Sequence, residues 1–184
     1  SKNKNATDIL MTIDAIDLLH TKDIDAFAFA TSDSDFTPVV MRVQAEGIRV
    51  YGFGERKTPK PFMAACSQFI FTEQLMRVEA AKAVDINDTH TIDIQQAPLK
   101  KSGKEMRQDT WLVNVLRTAL EQTMDEDGWA NLSSIGQYIN NSTSFSPINF
   151  GYKKLSSLID EIDLFDIYVD PETKQMSIRD KRFY

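Results

Sequence analysis

Two aspartates, Asp33 and Asp35, directly follow the almost purely apolar run at residues 26–31. Such a run is typical of a strand that is covered on both faces of a parallel sheet. Ligands of open parallel sheets bind beyond the carboxyl ends of the strands. Carboxylates that converge there suit Mg²⁺ or Mn²⁺, since these cations prefer oxygen ligands. A metal in that position activates water and neutralises charge on a phosphodiester. The spacing therefore predicts a divalent-metal site at this edge.

Two other interpretations of the same residues stay open. Ser32, Ser34 or Asp35 can accept a hydrogen bond from the first free N–H groups of the following helix, so one of the two aspartates can serve only in helix capping. Residues 33–37 also resemble the Asp-x-Asp-x-Thr motif of haloacid-dehalogenase-like phosphatases. That family needs a downstream Gly-Asp dipeptide, and the sequence contains none, which disfavours the phosphatase interpretation.

The elements around these aspartates predict a doubly wound α/β domain. Pro38 falls in the first turn of a predicted helix, where a missing N–H is harmless, and Gly47 follows as its C-terminal stop. Helices are predicted at 8–19, 36–46 and 60–65, and strands at 26–31, 48–53 and 68–71.

The second half of the chain has a different pattern. Polar residues, Pro98 and the lysine-rich run at 100–104 predict a flexible linker over residues 79–106. Three helices and a β-hairpin then predict a small winged-helix domain over residues 107–184. The helices are predicted at 108–124, 133–140 and 151–162, and the hairpin strands at 165–169 and 175–178.

Composition limits the class of protein. The 184 residues suit one or two small globular domains, and no apolar run approaches the roughly 18 residues of a membrane span. A single cysteine, Cys66, excludes a disulfide framework and favours a cytoplasmic location. The net charge of −6 argues mildly against bulk attraction to nucleic acids. Any RNA binding must therefore rest on local patches and metal ions.

The first half resembles the bacterial NYN family of PIN-like ribonucleases, nearly without interruption over residues 4–75. The matching segments are KNATD (4–8), IDAIDLL (13–19), SDSDFT (32–37), YGFGERKTPKPF (51–62) and AAC (64–66). The resemblance implies a Rossmann-like, three-layer PIN/NYN domain over residues 1–78. It also implies a metal-dependent endoribonuclease or an RNA-processing protein, with Mg²⁺ or Mn²⁺ as the cofactor.

The family's catalytic and metal-binding acids carry over onto Asp8, Asp33 and Asp35. Asp14 and Asp17 lie on another face of the first helix and are interpreted as solvated. NYN domains also open with a strand that ends in a metal-binding aspartate, and this sequence has no such strand. The resemblance thus implies an NYN domain that is incomplete at its N-terminus. A non-catalytic RNA-binding or adaptor protein is the alternative function.

The second half, about residues 108–180, resembles the OST-HTH/LOTUS domain on DGWANLS (127–133) and FGYKKL (150–155). This implies an RNA-binding module, with a protein partner or a homodimer as further expectations. Aromatic and basic side chains together can stack on bases and hold phosphates. The predicted RNA contacts are Arg56, Lys57 and Lys60 in the first half, and Tyr152, Lys153 and Lys154 in the second. Solvated lysines and arginine at 56–60, and a half-buried Tyr152, are the alternatives.

Overall fold

The computed structural model describes residues 4–75 and 100–183. The chain forms two compact units, Ser1–Glu73 and Gln74–Tyr184. None of the helices in the described part of the chain has the length and apolar character that crossing a membrane requires.

The first unit is an α/β domain with every element that the sequence predicts. Its three strands are parallel, in the order β1-β2-β3, with Ala28 opposite Tyr51 and Gly52 opposite Phe69. The elements are α1 (Lys4–Thr21), β1 (Ala26–Ala30), a 3₁₀ turn (Ser34–Phe36), α2 (Thr37–Ala45), β2 (Arg49–Gly54), α3 (Lys60–Ala65) and β3 (Gln68–Phe71).

The core of this unit lies on one face of the sheet. Phe29, Val50 and Phe69, at alternating strand positions, form one buried cluster with residues of α1, α2 and α3. Two right-handed crossovers that step in the same direction put their helices on the same face. Ala28 and Ala30, which point to the other face, are exposed. Among the described residues, strand 26–31 is thus covered on one face, and two of the three predicted layers are present.

The second unit contains helices and a small antiparallel sheet of order β4-β6-β5. Its core draws on all four helices and on the sheet, and includes Leu116, Ile135 and Ile178. Two of its elements, α4 and β4, are absent from the sequence prediction. The elements are α4 (Gly103–Gln108), α5 (Thr110–Glu121), β4 (Ala130–Asn131), α6 (Leu132–Ser142), a 3₁₀ turn (Pro147–Phe150), α7 (Leu155–Ile162), β5 (Phe165–Val169) and β6 (Met176–Asp180).

Most of the predicted linker, residues 79–106, lies outside the described residues. Its last part is folded. Ser102 and Glu105 form a capping box at the start of α4, with Ser102 N donating to Glu105 Oε2 over 2.8 Å. Met106 is fully buried in the core of the second unit. This unit therefore begins before residue 107, and a flexible linker up to residue 106 is wrong for its last residues.

Asp180 connects the hairpin of β5 and β6 to α5 through an ion pair with Arg117. Its Oδ2 accepts 2.9 Å hydrogen bonds from Arg117 Nε in α5 and from Arg182 Nη2. Burial raises the pKa of the Asp180 carboxyl, but the bonds from Arg182 and the charges of both arginines outweigh it and hold that pKa below its usual value.

Two glycines of the second unit form a matched pair for testing how closely α4 packs. A Cβ added at Gly103 would lie 2.1 Å from the Glu161 carbonyl oxygen, whereas one at Gly136 would meet nothing closer than Leu155 Cδ2 at 3.8 Å. We expect Gly103→Ala to lower the free energy of unfolding by about 2 kcal/mol through overpacking. Gly136→Ala should raise it by about 0.5–1 kcal/mol through helix propensity. Urea unfolding followed by tryptophan fluorescence reports on this unit, because both tryptophans, Trp111 and Trp129, lie in it. Equal effects of the two substitutions would contradict the packing of α4.

The second prediction concerns the contribution of Asp180 to stability and its loss at low pH. The folded-state pKa of Asp180 is below its usual value. The contribution of its carboxylate to the free energy of unfolding is therefore present above the unfolded-state pKa of about 3.9, and it is lost as the pH falls through the folded-state pKa. We expect Asp180→Asn to cost about 2 kcal/mol at pH 7, since it removes charged hydrogen bonds. The difference between variant and wild type should shrink in acid. Urea unfolding curves measured from pH 7 downward test this, and a difference that does not vary with pH would exclude the carboxylate as its origin.

Candidate functional site

The ends of β1 and β2 are tied together at the carboxyl edge of the first sheet. Thr31 N donates to Phe53 O over 2.8 Å, and Glu55 N donates to Ser32 Oγ over 2.9 Å. These bonds bring the loop that carries Asp33 beside the loop that follows β2. The loop after β1 and the loop after β2 therefore meet at this edge.

Asp33 and Asp35 are both exposed at this edge. Asp33 is the N-cap of the 3₁₀ turn, and its Oδ1 accepts a 2.9 Å bond from Asp35 N. The predicted cap of the following helix by Ser32, Ser34 or Asp35 is wrong, because α2 has no side-chain cap; Asp33 caps the 3₁₀ turn before it. The cap uses one carboxylate oxygen of Asp33. The Asp35 carboxylate makes none of the hydrogen bonds of this turn. Neither aspartate takes part in an ion pair with another described residue.

The three predicted metal ligands do not form one cluster. Asp8 lies near the start of α1 and is partly buried. Across residues 4–75 and 100–183, no three His, Cys, Asp or Glu side chains lie close enough to hold a metal ion together. Asp14 and Asp17 are exposed, as their solvated interpretation requires. The edge offers a pair of carboxylates, Asp33 and Asp35, and the set of three does not fit a metal site.

The predicted basic residues of this domain lie at the same edge, among acids that the sequence analysis missed. Lys57 Nζ is 2.7 Å from Glu55 Oε2, and this bond raises the pKa of Lys57. The Arg56 guanidinium lies over the Phe71 ring at 5.3 Å, and Arg56 N donates to Glu73 Oε1. Lys60 is exposed at the start of α3. Glu55 and Glu73 each follow a predicted strand, which is the signal that could have found them.

In the second unit, Tyr152 belongs to the core and not to the surface. Its side chain is 2% exposed, and its hydroxyl donates to Lys101 O over 2.6 Å. Burial, with the charges of Glu161 and Glu105, raises the pKa of Tyr152 to about 12. A buried ring has no free face for a base, so base stacking by Tyr152 is excluded and the core interpretation of this residue is correct.

One lysine lies over the ring of this buried tyrosine, and another lies over the ring of Phe150. Lys100 Nζ lies 4.8 Å from the centre of the Tyr152 ring, and Lys101 Nζ lies 4.7 Å from that of Phe150. Lys153 and Lys154 follow directly and are exposed. These four lysines are called the lysine patch below. Lys100 and Lys101 were assigned to the linker from composition, so the sequence analysis missed their part in it.

Comparison with known families supports both halves of the chain. The model of the NYN domain matches residues 1–79, and the model of the OST-HTH/LOTUS domain matches residues 107–177. No curated protein and no solved structure gives a significant match. The chain therefore consists of an NYN domain, of the PIN-like nuclease type, followed by an OST-HTH/LOTUS domain.

Proposed function

We propose that the protein binds RNA through the lysine patch of its LOTUS domain. Both of its domain families are associated with RNA. The observation that carries the proposal is that Lys100 and Lys101 lie over the rings of Tyr152 and Phe150, while the exposed Lys153 and Lys154 follow Tyr152 directly in the chain. A local cluster of this kind supplies the attraction for phosphates that the acidic net charge of −6 does not.

The four lysines differ in how they are held. Lys100 and Lys101 are ordered by the rings and by carboxylates, Glu161 at 3.3 Å and Asp109 at 3.2 Å. Part of their charge is thereby balanced. Lys153 and Lys154 are exposed and make no ion pair with the described residues. Lys153 and Lys154 are therefore the members of the patch most available to phosphates, and we assign them the larger share of the binding.

The double substitution Lys153→Ala/Lys154→Ala tests this assignment. Each phosphate contact releases bound counterions, so losing both lysines should weaken binding to a short single-stranded RNA and lower the slope of log K against log salt by up to about 2. Fluorescence anisotropy over a series of salt concentrations measures both quantities. Lys153→Arg/Lys154→Arg, which keeps the charge, should retain the wild-type slope, and Lys174→Ala serves as a lysine control outside the patch. An unaltered slope in the alanine variant would count against the patch.

Metal-dependent RNA cleavage by the NYN domain is a second candidate function, with Mg²⁺ or Mn²⁺ as the cofactor. The favouring observation is that Asp33 and Asp35 are exposed side by side at the carboxyl edge of the sheet. Mg²⁺ in proteins is often held by one or two carboxylates, with waters and substrate phosphates completing its shell. A divalent cation supplies activated water and charge neutralisation in phosphodiester hydrolysis. Since the three-acid set does not form a site, we assign no step to Asp8.

Metal titration separates cleavage from the adaptor alternative. If Asp33 and Asp35 hold a cation, Mn²⁺ should raise the melting temperature of the protein, and Asp33→Asn and Asp35→Asn should each abolish most of that increase along with any Mn²⁺-dependent RNA cleavage. Asp14→Asn is the matched control, because Asp14 is an exposed aspartate of the same domain that belongs to α1 and not to the loop after β1. An absence of any Mn²⁺ effect on wild-type stability and cleavage would favour a non-catalytic RNA-binding adaptor. A protein partner, a homodimer and a cytoplasmic location stay predictions from the sequence.

A further inference from the structure

We propose that the outward face of the LOTUS sheet is a second RNA contact, which holds an unpaired nucleobase against the ring of Tyr168. The inference rests on the proposed RNA binding and deepens it, because it names unpaired bases as the recognised class. The residues that carry it are Trp129, Tyr168 and Arg179, called the aromatic platform below. None of them belongs to the lysine patch.

The register of the sheet puts the platform on the side away from the core. Tyr168 pairs with Ser177, and Asp166 pairs with Arg179, so these four side chains share one face. The other face is formed by alternating residues, among them Phe165 and Ile178, which are buried in the core. The platform face therefore belongs to the surface of the domain.

Three contacts in series lead from Asp166 to the Tyr168 ring. Asp166 Oδ2 lies 3.4 Å from Arg179 Nη2, and the Arg179 guanidinium lies 4.8 Å over the Trp129 ring. The Trp129 and Tyr168 rings meet edge to face, with centroids 6.3 Å apart and planes at 71°. Tyr168 is nevertheless 53% exposed. An exposed aromatic ring that already packs against another ring loses less conformational freedom when a flat ligand stacks on it than an unsupported ring would.

The chemistry of this surface favours a base over a phosphate. Aromatic rings stack on the faces of nucleobases, and a guanidinium plane adds a cation–π contribution. The Ser177 hydroxyl, on the same face, can bond to a polar edge of a base. The turn before Trp129 is acidic, with Asp125, Glu126 and Asp127 all exposed, and it opposes phosphates. Bases of a duplex are stacked on one another, so the platform suits single-stranded RNA.

Three substitutions in β5 test the platform. Tyr168→Ala should weaken binding of a fluorescein-labelled single-stranded RNA of mixed sequence about fivefold or more, as expected for one lost stacking contact. Tyr168→Phe, which keeps the ring, should bind within about twofold of wild type by the same reasoning. Val169→Ala is the matched control, since Val169 is the next residue, 47% exposed, and points to the opposite face. The salt slope should be the same in Tyr168→Ala as in wild type, because stacking releases no counterions.

A spectroscopic measurement supports the binding data. In a Trp111→Phe background, Trp129 is the remaining tryptophan, and single-stranded RNA should alter its emission while a duplex of the same sequence should alter it less. Wild-type binding that depends on Lys153 and Lys154 but not on Tyr168, with unchanged Trp129 emission, would overturn the platform and leave the proposed function intact. A wild-type protein that binds no RNA would overturn both. Equal dependence on Tyr168 for duplex and single strand would overturn the assignment to unpaired bases.

Discussion

The close approach of the backbone at Gly54 brings the ends of β1 and β2 together at the edge of the sheet that carries Asp33 and Asp35. A Cβ at this position would lie 2.6 Å from the Thr31 carbonyl oxygen and 2.7 Å from Thr58 Oγ1, so only glycine allows the end of β2 to lie this near the end of β1. The bonds from Thr31 N to Phe53 O and from Glu55 N to Ser32 Oγ depend on that approach. The direction in which the chain enters the Asp33 turn is thus set by backbone packing and not by the aspartates.

The same edge is electrostatically mixed. Lys57 is paired with Glu55 in the loop after β2, and Glu73, which follows β3, accepts a bond from Arg56 N, so basic and acidic groups lie side by side at this edge. Such pairing lowers the net attraction for phosphates, and salt screens what is left between exposed charges. Asp33 and Asp35 make no such pair within the described residues. The cation site proposed at this edge therefore rests on two carboxylates that have no ion-pair partner among the described residues, and we assign the RNA backbone to the lysine patch of the LOTUS domain.

The sequence predicted the elements well because their signals are local. Pro38 and Gly47 bracket α2, and the apolar run that became β1 has no competing interpretation. Which face of β1 is covered could not be predicted, because an apolar strand has the same pattern whether one or both faces are buried. Tyr152 was ambiguous for a related reason, since an amphipathic ring beside two lysines suits both a core and a surface.

The start of α4 was a missed signal: Ser102 and Glu105 have capping-box spacing, but the surrounding lysines and glycine suggested a linker. β4 has two residues, too few for any periodicity.

The acidic character of the chain gives the two proposed RNA contacts different roles. An overall charge of −6 opposes every phosphate, so RNA attraction through four lysines is weak far from the patch and falls further with salt. Stacking on Tyr168 does not decline with salt, and at physiological ionic strength its share of the binding free energy therefore grows. Duplex RNA presents phosphates but no free base faces, so it can use the lysine patch and not the aromatic platform. Because the protein's acidity weakens the contribution that all RNAs share, the proposed preference for unpaired RNA rests on the charge balance of the chain together with the contact between Tyr168 and Trp129, which Arg179 covers.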